Sequence, residues 1–206
     1  MKKILIFPCN GNGIEALSCM PDDVEVIGFV DDTKEKQGTV VFGVKVYSRE
    51  AFALFPDAMV IAVPGSPTSF MKRAEVIQSL GISQDRFATV IHPRATVSKF
   101  AVIGSNVLIM AGAVLTANCT IGDHVCILPN TVIHHDSEIG EYTLIGSNVT
   151  VAGFVRIGAN CYIGSGSSVI NGIYIGQRVL IGMGSNVIRS VDSDLRMVGN
   201  PARLLS

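Results

Sequence analysis

The segment His134-His135-Asp136 contains the residues in this chain best suited to chemistry. Imidazole exchanges protons near neutral pH, and a neighbouring carboxylate can hold its tautomer and stabilise the imidazolium that forms. We therefore predict that His135 is a general base and that Asp136 orients it. His134 is predicted to contact substrate. The alternative is that both histidines are ordinary turn residues. We expect His92 to cap the start of the helix that the repeats form, and His124 to be a surface turn residue.

Two further segments contain residue types that suit a polar or phosphorylated ligand. Gly11-Asn12-Gly13 and Asp31-Asp32 each follow a short apolar run. A glycine turn lets backbone amides approach a diphosphate, and a carboxylate accepts hydrogen bonds from hydroxyl or base N–H groups. We predict that these segments bind substrate, through Gly11, Asn12, Gly13, Asp31 and Asp32. A plain surface turn is the alternative for the glycines.

Residues 91–187 contain an internal repeat with a period of six. Every sixth position from Ile91 to Val187 is aliphatic, and the intervals between Ile-Gly pairs are all multiples of six. This period fits neither a helix nor simple strand alternation, but it fits short strands joined by sharp turns, with three repeats to a coil. Small residues four places later, such as Cys119 and Cys161, are expected to point inward. The glycine after each isoleucine is expected to supply a positive φ.

The repeat places Gly153 beside the candidate base. Residues three repeats apart occupy equivalent positions on successive coils, and successive coils are about 4.8 Å apart along the axis. Gly153 is therefore expected to stack on His135. An amide N–H without a side chain can polarise a carbonyl, as in an oxyanion hole, and we predict that role for Gly153.

The first part of the chain follows a different pattern. Apolar runs typical of buried strands alternate with segments typical of helices, which predicts a small parallel sheet with helices on its faces. The predicted strands are Lys3–Phe7, Val24–Val30 and Ala58–Val63, and the predicted helices are Ile14–Met20, Arg49–Phe55 and Pro67–Leu80. Charged residues fall from 20 in residues 1–90 to eight in residues 91–187. We therefore predict domains over residues 1–88 and 89–190, followed by a tail over residues 191–206.

Composition argues against several classes of protein. The net charge is −1 and no basic block is present, so nucleic acid and anionic membrane are poor partners. No apolar run is long enough for a transmembrane helix, and the first apolar run is too short for a signal-peptide core. The five cysteines show no metal-ligand spacing. We expect a cytoplasmic protein without a metal.

The repeat resembles that of the hexapeptide-repeat acyltransferases, and the tail Val198-Gly199-Asn200-Pro201-Ala202 is similar to an ending common in that superfamily. With a small α/β domain, the linking Ile91-His92-Pro93 and a His-Asp pair in mid-helix, the chain resembles the PglD/NeuD-type sugar acetyltransferases. The resemblance implies an N-terminal Rossmann-like α/β domain followed by a left-handed parallel β-helix. The general rule for parallel crossovers would predict the opposite hand.

The same resemblance implies an acetyl-CoA-dependent N-acetyltransferase that acts on a nucleotide-linked 4-amino-deoxysugar by direct transfer. It implies a homotrimer with active sites between subunits, with the nucleotide sugar at the N-terminal loops. Acetyl-CoA would lie in the groove between subunits near Gly153, Gly164, Ser165 and Gly182.

Some residues depart from the family pattern, and other functions stay open. Leu128 stands where the family often has a substrate-binding Asn, which leaves the nucleotide and the sugar open. The alternatives are an O-acetyltransferase of a sugar or sialic acid, and a non-catalytic ligand-binding trimer. A zinc site like that of the gamma carbonic anhydrases is disfavoured, because His124, His134 and His135 do not place two imidazoles on one face of a strand.

Overall fold

The computed structural model describes residues 2–205. Its N-terminal unit is a sheet of five strands in the order β3-β4-β2-β1-β5, namely β1 (Lys2–Phe7), β2 (Val24–Val30), β3 (Val40–Val41), β4 (Val44–Tyr47) and β5 (Met59–Ala62). The helices are α1 (Gly11–Leu17), α2 (Ala51–Leu54) and α3 (Arg73–Gln78), with 3₁₀ turns at Phe70–Lys72 and Gln84–Arg86. The three predicted strands and the three predicted helices all form, but α1 begins and ends three residues earlier than predicted, and α2 and α3 are shorter than predicted.

The hairpin of β3 and β4 was not predicted. Its two strands pair antiparallel across a tight turn in which Phe42 and Gly43 have φ values of 49° and 80°. Val40 and Phe42 are exposed, so the segment lacks the buried apolar run that identifies the other strands. β4 also pairs in parallel with β2 and so extends the sheet.

Strand β1 separates two apolar cores. Leu5 and Phe7 pack with α2 and α3, whereas Ile4 and Ile6 belong to a cluster that includes Ala16 of α1 and Leu108 in the second half of the chain. One face of the N-terminal sheet therefore packs directly against the repeat region. This contact determines where the N-terminal loops lie relative to the repeats.

The repeat region is a parallel β-helix of three sheets. Its strands recur at every sixth position and pair in register with the strand three repeats later, which confirms the predicted repeat. They are β6 (Val90–Ile91), β7 (Thr96–Val97), β8 (Val102–Ile103), β9 (Leu108–Ile109), β10 (Val114–Leu115), β11 (Thr120–Ile121), β12 (Cys126–Ile127), β13 (Val132–Ile133), β14 (Glu138–Ile139), β15 (Leu144–Ile145), β16 (Thr150–Val151), β17 (Arg156–Ile157), β18 (Tyr162–Ile163), β19 (Ser168–Val169), β20 (Tyr174–Ile175), β21 (Leu180–Ile181) and β22 (Asn186–Val187). An antiparallel pair, β23 (Arg196–Val198) and β24 (Arg203–Leu204), follows.

The three sheets meet at three columns of turns, which we call corners. Corner 1 contains residues 134–137 and their equivalents on the other coils, corner 2 contains residues 122–125 and their equivalents, and corner 3 contains residues 128–131 and theirs. The N-terminal unit packs on the sheet between corners 2 and 3, which includes β9, β12 and β15 and which we call the docking sheet. Corner 1 therefore lies on the side of the β-helix opposite to the docking sheet.

The small inward residues join each coil to the next by hydrogen bonds. The hydroxyls of Thr131, Ser137 and Ser167 each donate to a backbone carbonyl of the following coil, at 2.6, 2.8 and 3.0 Å. The thiol of Cys161 makes the same contact at 3.0 Å, and burial raises its pKa to about 11. These positions are buried as predicted, and the hydrogen bonds explain why many of them carry a hydroxyl or thiol.

The glycines that follow isoleucine have a different role from the predicted one. A Cβ on Gly122 would lie 2.7 Å from the backbone nitrogen of Glu141, and one on Gly158 would lie 2.7 Å from that of Gln177. Positive φ values occur two residues later, for example at His124. These glycines are therefore required for the close approach of successive coils, and the prediction that they supply the positive φ was wrong.

Candidate active site

His135 and Asp136 form a hydrogen-bonded pair at corner 1. His135 Nδ1 lies 2.8 Å from Asp136 Oδ2, and Asn118 Nδ2, one coil earlier, donates to Asp136 Oδ1 at 3.3 Å. Hydrogen bonds from His135 and then from Asn118 lower the pKa of Asp136, so the carboxylate is charged at neutral pH. The carboxylate can therefore hold the Nδ1–H tautomer of His135, which leaves Nε2 able to accept a proton.

Gly153 and Phe154 form the wall behind the imidazole of His135. A Cβ on Gly153 would lie 2.8 Å from both Cε1 and Nε2 of that ring, so the predicted stacking of Gly153 on His135 is present. The rings of Phe154 and His135 form a T-shaped pair, with centroids 5.1 Å apart and an interplanar angle of 88°. Within residues 2–205, no acceptor takes the Gly153 N–H. The Gly153 N–H therefore keeps an unused hydrogen-bonding capacity at a buried position next to the His135 ring.

The other histidines have different environments. His134 is half-buried and its backbone N–H continues the ladder to Val151 O at 2.9 Å. His92 Nδ1 accepts from the Arg94 N–H at 2.9 Å, in the turn that follows β6. His124 is buried, so its prediction as a surface residue was wrong. Corner 2 faces the N-terminal unit there, which the repeat alone did not reveal.

A cavity of about 290 Å³ lies between the N-terminal loops and the docking sheet. The loop after β1 and the loop after β5 supply one wall, and the docking sheet supplies the other. The lining residues are Asn10, Gly11, Asn12, Gly65, Ser66, Pro67, Leu128, Leu144, Ile145, Gly146 and Tyr162. Of the predicted substrate-binding residues, Gly11 and Asn12 line this cavity.

The glycine segment begins a short helix. Asn10 caps α1 by accepting from the Gly13 N–H at 3.0 Å, and Asn12 Nδ2 donates to Val63 O and Gly65 O at 3.4 and 3.3 Å. Gly13 is buried, and a Cβ there would collide with the carbonyl of Pro8, so this position requires glycine. The turn thus links the two loops that form the cavity wall.

Asp31 and Asp32 are both engaged within the N-terminal unit. Asp31 is buried and accepts from the Thr33 N–H at 2.9 Å and from Lys36 Nζ at 3.1 Å. Burial alone would raise the pKa of Asp31, but these hydrogen bonds lower it. Asp32 pairs with Arg49 at 2.7 and 2.8 Å. Neither carboxylate lines the cavity.

The residues predicted to bind the acyl donor lie at two corners. Gly153 is at corner 1, whereas Gly164, Ser165 and Gly182 are at corner 3, where Ser165 Oγ accepts from the Ser147 N–H at 3.0 Å. The sheet that contains β16, β19 and β22 separates the two corners. One chain therefore does not bring all four residues together.

A second cavity of about 290 Å³ lies at the C-terminal end of the β-helix and was missed by the sequence analysis. It is lined by Arg189 and Arg203 together with apolar side chains such as Ile188 and Met197. Steps of three repeats from His135 lead through Gly153 and Asn171 to Arg189, which is the signal that the sequence offered.

No three His, Cys, Asp or Glu side chains among residues 2–205 are grouped so that they could hold a metal ion. None of the helices in that part of the chain has both the length and the apolar character to cross a membrane. All five cysteines are buried and free.

Comparison with known proteins identifies similar sequences. Residues 100–135 and 118–153 match the family described as bacterial transferase hexapeptide (six repeats), and residues 154–189 match the hexapeptide repeat of succinyl-transferase. UDP-N-acetylbacillosamine N-acetyltransferase from Bacillus subtilis (strain 168) is 35% identical over 119 residues, covering 54% of this chain and 52% of that protein. The match thus spans about half the length of this curated relative.

Two solved structures have the same fold over nearly all of the chain. A mutant of perosamine N-acetyltransferase from Caulobacter crescentus, in complex with CoA and GDP-perosamine, has a TM-score of 0.84 and 25% identity, covering 100% of this chain and 97% of that one. The acetyltransferase domain of PglB from Neisseria gonorrhoeae, in complex with acetyl coenzyme A, has a TM-score of 0.83 and 24% identity, covering 99% of each chain. The predicted fold, an N-terminal α/β unit followed by a left-handed parallel β-helix, is confirmed.

Proposed function

Because residues 100–189 match hexapeptide-repeat transferases, we propose that this chain transfers the acetyl group of acetyl-CoA to the amine of a nucleotide-linked 4-amino-deoxysugar. The observation that carries the proposal is the alignment of three groups at corner 1. They are the His135 ring, the Asp136 carboxylate 2.8 Å from it and the free Gly153 amide behind it. These are a base, its orienting partner and an oxyanion donor, which direct acyl transfer needs.

In the proposed reaction, the neutral sugar amine attacks the thioester carbonyl carbon and forms the new C–N bond. His135 Nε2 takes the proton that the amine loses, while Asp136 stabilises the imidazolium through Nδ1–H. The electron pair of the carbonyl moves to oxygen, where the Gly153 N–H can donate to it. No covalent enzyme intermediate is required.

The tetrahedral intermediate then collapses. The carbonyl re-forms, the C–S bond breaks and its electron pair leaves with sulfur. The imidazolium of His135 returns its proton to the CoA thiolate, so the products are the N-acetylated sugar and free CoA thiol. The histidine ends in its starting form, as general acid–base catalysis requires.

We propose that the acceptor lies in the cavity between Gly11, Asn12 and the docking sheet, and that the base is provided by a neighbouring subunit. Within one chain, this cavity adjoins the docking sheet, whereas His135 is at the opposite corner. Corner 1 also exposes Phe100 and Phe154, each 60% accessible, next to the exposed Tyr174. Such an apolar surface is typical of a protein interface, which supports a homotrimer with shared active sites.

The donor is proposed to run along corner 1 from the reacting groups toward the C-terminal cavity. Arg189 lies three coils beyond His135, about 14 Å along the axis. An extended phosphopantetheine arm spans about 16 Å between sulfur and phosphorus, judged from standard bond lengths. The guanidinium of Arg189 is therefore well placed for a CoA phosphate, and corner 3 of a neighbouring subunit would supply Gly164, Ser165 and Gly182.

The proposal is tested by release of CoA thiol when acetyl-CoA is mixed with UDP- and GDP-linked 4-amino-deoxysugars. His135→Ala is expected to lower kcat by about 10²–10⁴-fold without changing the oligomer or its melting temperature. Thiol release with the 4-hydroxy sugars alone would favour the O-acetyltransferase. No release with any acceptor would favour a ligand-binding protein.

Shared active sites are tested with mixed oligomers. Ser66→Trp is expected to fill the acceptor cavity and His135→Ala to remove the base, so each variant alone is inactive. Random mixing of the two in equal amounts should restore about a quarter of wild-type activity, because one site in four combines an intact cavity with an intact base. Mixtures that stay inactive would show that each chain uses its own residues.

A further inference from the structure

A buried polar cluster joins the N-terminal unit to corner 2 of the β-helix. It consists of Arg73 at the start of α3, Asn106 and His124. Arg73 donates through its two terminal nitrogens to the carbonyl of Pro64 and, at 2.6 Å, to the carbonyl of His124. The cluster thus connects the loop after β5 to a turn of the repeat region.

Asn106 extends the edge of strand β5. Its Oδ1 accepts from the Ala62 N–H at 2.7 Å, and its Nδ2 donates to Ala62 O at 2.9 Å. The remaining Nδ2 hydrogen points to His124 Nδ1, also at 2.9 Å, so that ring nitrogen is the acceptor and His124 is neutral. Stacking on Tyr142 at 4.6 Å and an edge contact with Phe87 complete the pocket of the His124 ring.

Arg73 is unusual because it is a buried cation without a carboxylate partner. Its residue exposure is 1%, and no ion pair within residues 2–205 involves it. Its Nε has no hydrogen-bond partner in the same part of the chain. Burial of an unpaired guanidinium opposes folding, so an aliphatic residue would serve a purely structural role at lower cost. The two carbonyls that it holds indicate a positional role.

The Pro64 carbonyl, which accepts a hydrogen bond from Arg73, belongs to the loop that forms one wall of the acceptor cavity. Pro64 is followed by Gly65, whose φ of +125° is accessible mainly to glycine, and then by Ser66. A Cβ on Gly65 would lie 2.8 Å from Leu144 Cδ1 and 3.7 Å from the Arg73 side chain. Gly65, Ser66 and Leu144 all line the cavity. The loop is therefore closely packed between Arg73 and the docking sheet.

We propose that Arg73, seated on the His124 carbonyl, is a positioning residue that sets the place of Gly65 and Ser66 and thereby the affinity for the nucleotide sugar. This inference rests on the proposed function for the identity of the ligand. Arg73 should affect the binding of the acceptor but not of the donor. Neither corner 1 nor the C-terminal cavity contains a residue of the buried polar cluster.

The test measures binding by calorimetry, with UDP- and GDP-linked 4-amino-deoxysugars and, separately, with acetyl-CoA. Loss of two hydrogen bonds in Arg73→Met should weaken sugar-nucleotide binding by about tenfold or more and change acetyl-CoA binding by less than about twofold. Arg73→Lys keeps the charge and can reach one carbonyl, so its affinity should lie between those of the wild type and Arg73→Met.

Arg86→Met is the matched control. Arg86 also binds loop carbonyls of the N-terminal unit, namely those of Phe52, Phe55 and Ala58 at 3.0 to 3.2 Å, but it lies away from the cavity. Its removal should lower the melting temperature and leave both affinities unchanged. Equal affinity losses in the two variants, or an unchanged sugar affinity in Arg73→Met, would overturn the positioning role.

The same measurements separate this inference from the proposed function. Binding of the nucleotide sugar by the wild type without thiol release would contradict the transferase activity and leave the Arg73 comparison intact. A wild type that binds none of the sugars would contradict both.

Discussion

Replacing Gly153 by alanine would place a methyl carbon 2.8 Å from both Cε1 and Nε2 of His135. Non-bonded carbon atoms prefer separations of about 3.5–4.0 Å, so the overlap is roughly 1 Å. The backbone of Gly153 is outside the left-handed region, so alanine can adopt it. The half-exposed imidazole can move more easily than the coil, and its movement would break the 2.8 Å hydrogen bond to Asp136.

A displaced base and an obstructed amide both weaken the transition state. We expect Gly153→Ala to lower kcat by about 10²–10³-fold, which is about 2.7–4 kcal/mol of transition-state stabilisation. The melting temperature should change little, because the three atoms nearest to the added methyl group all belong to the half-exposed imidazole of His135. Initial rates of CoA thiol release with saturating substrates measure the first effect, and thermal unfolding measures the second.

A double-mutant cycle separates the two causes. In a His135→Asn background, the ring that the methyl group displaces is absent, so Gly153→Ala should cost much less than in the wild type. Any reduction in kcat that Gly153→Ala still causes in this background is attributed to obstruction of the Gly153 N–H. Equal costs in both backgrounds, or a Gly153→Ala variant with at least a third of wild-type kcat, would refute the argument that this glycine exists to accommodate the imidazole.

Three other predictions concern Asp136, the buried His124 and Arg189 in the C-terminal cavity. Asp136→Asn cannot hold the Nδ1–H tautomer of His135 and should lower kcat by about 10²–10⁴-fold; a fall below tenfold in steady-state rates would contradict the orienting role. Burial lowers the pKa of His124 to about 4, below its unfolded value of about 6.5, so the unfolded chain binds the proton more tightly and stability falls as pH drops between these values, by at most about 3 kcal/mol. Urea unfolding should therefore show that the free energy of unfolding falls less between pH 7 and pH 5 for His124→Asn than for the wild type. An equal fall in the two proteins would contradict a buried neutral ring. Arg189→Ala should raise KM for acetyl-CoA by about tenfold but leave KM for S-acetylpantetheine, which lacks the diphosphate, unchanged; the exposed Arg196→Ala is the control, and equal increases with both donors would contradict a phosphate contact.

Strict periodicity made the repeat region predictable in detail. A register error of one residue would turn the aliphatic row from Ile91 to Val187 outward, so the sequence specifies every strand of the β-helix. The same spacing of three repeats predicts that Gly153 lies against His135. In the N-terminal unit, only strands with a buried apolar run were found, whereas the exposed β3–β4 hairpin was not.

Residues outside the repeat rule were predicted less well. His124 occupies a turn that faces solvent in an isolated β-helix, and only the packing of the N-terminal sheet buries it. Asp31 follows a strand as a ligand-binding carboxylate would, but Lys36 and the Thr33 N–H already satisfy it. The burial of His124 depends on how the two halves of the chain meet, which no local pattern encodes, whereas the partners of Asp31 lie within five residues of it.

The amino-acid sequence by itself determined the coil, the three corners and the stacking of a glycine on the candidate base, because these depend on spacing along one chain. The tertiary structure decided which corner faces the N-terminal unit, since that depends on shape complementarity between surfaces far apart in sequence. It thereby placed the cavity of the N-terminal loops on the docking sheet and the imidazole on the opposite corner. It also placed the Arg73 guanidinium, which binds the Pro64 carbonyl within its own unit, within reach of the His124 carbonyl in the other half of the chain.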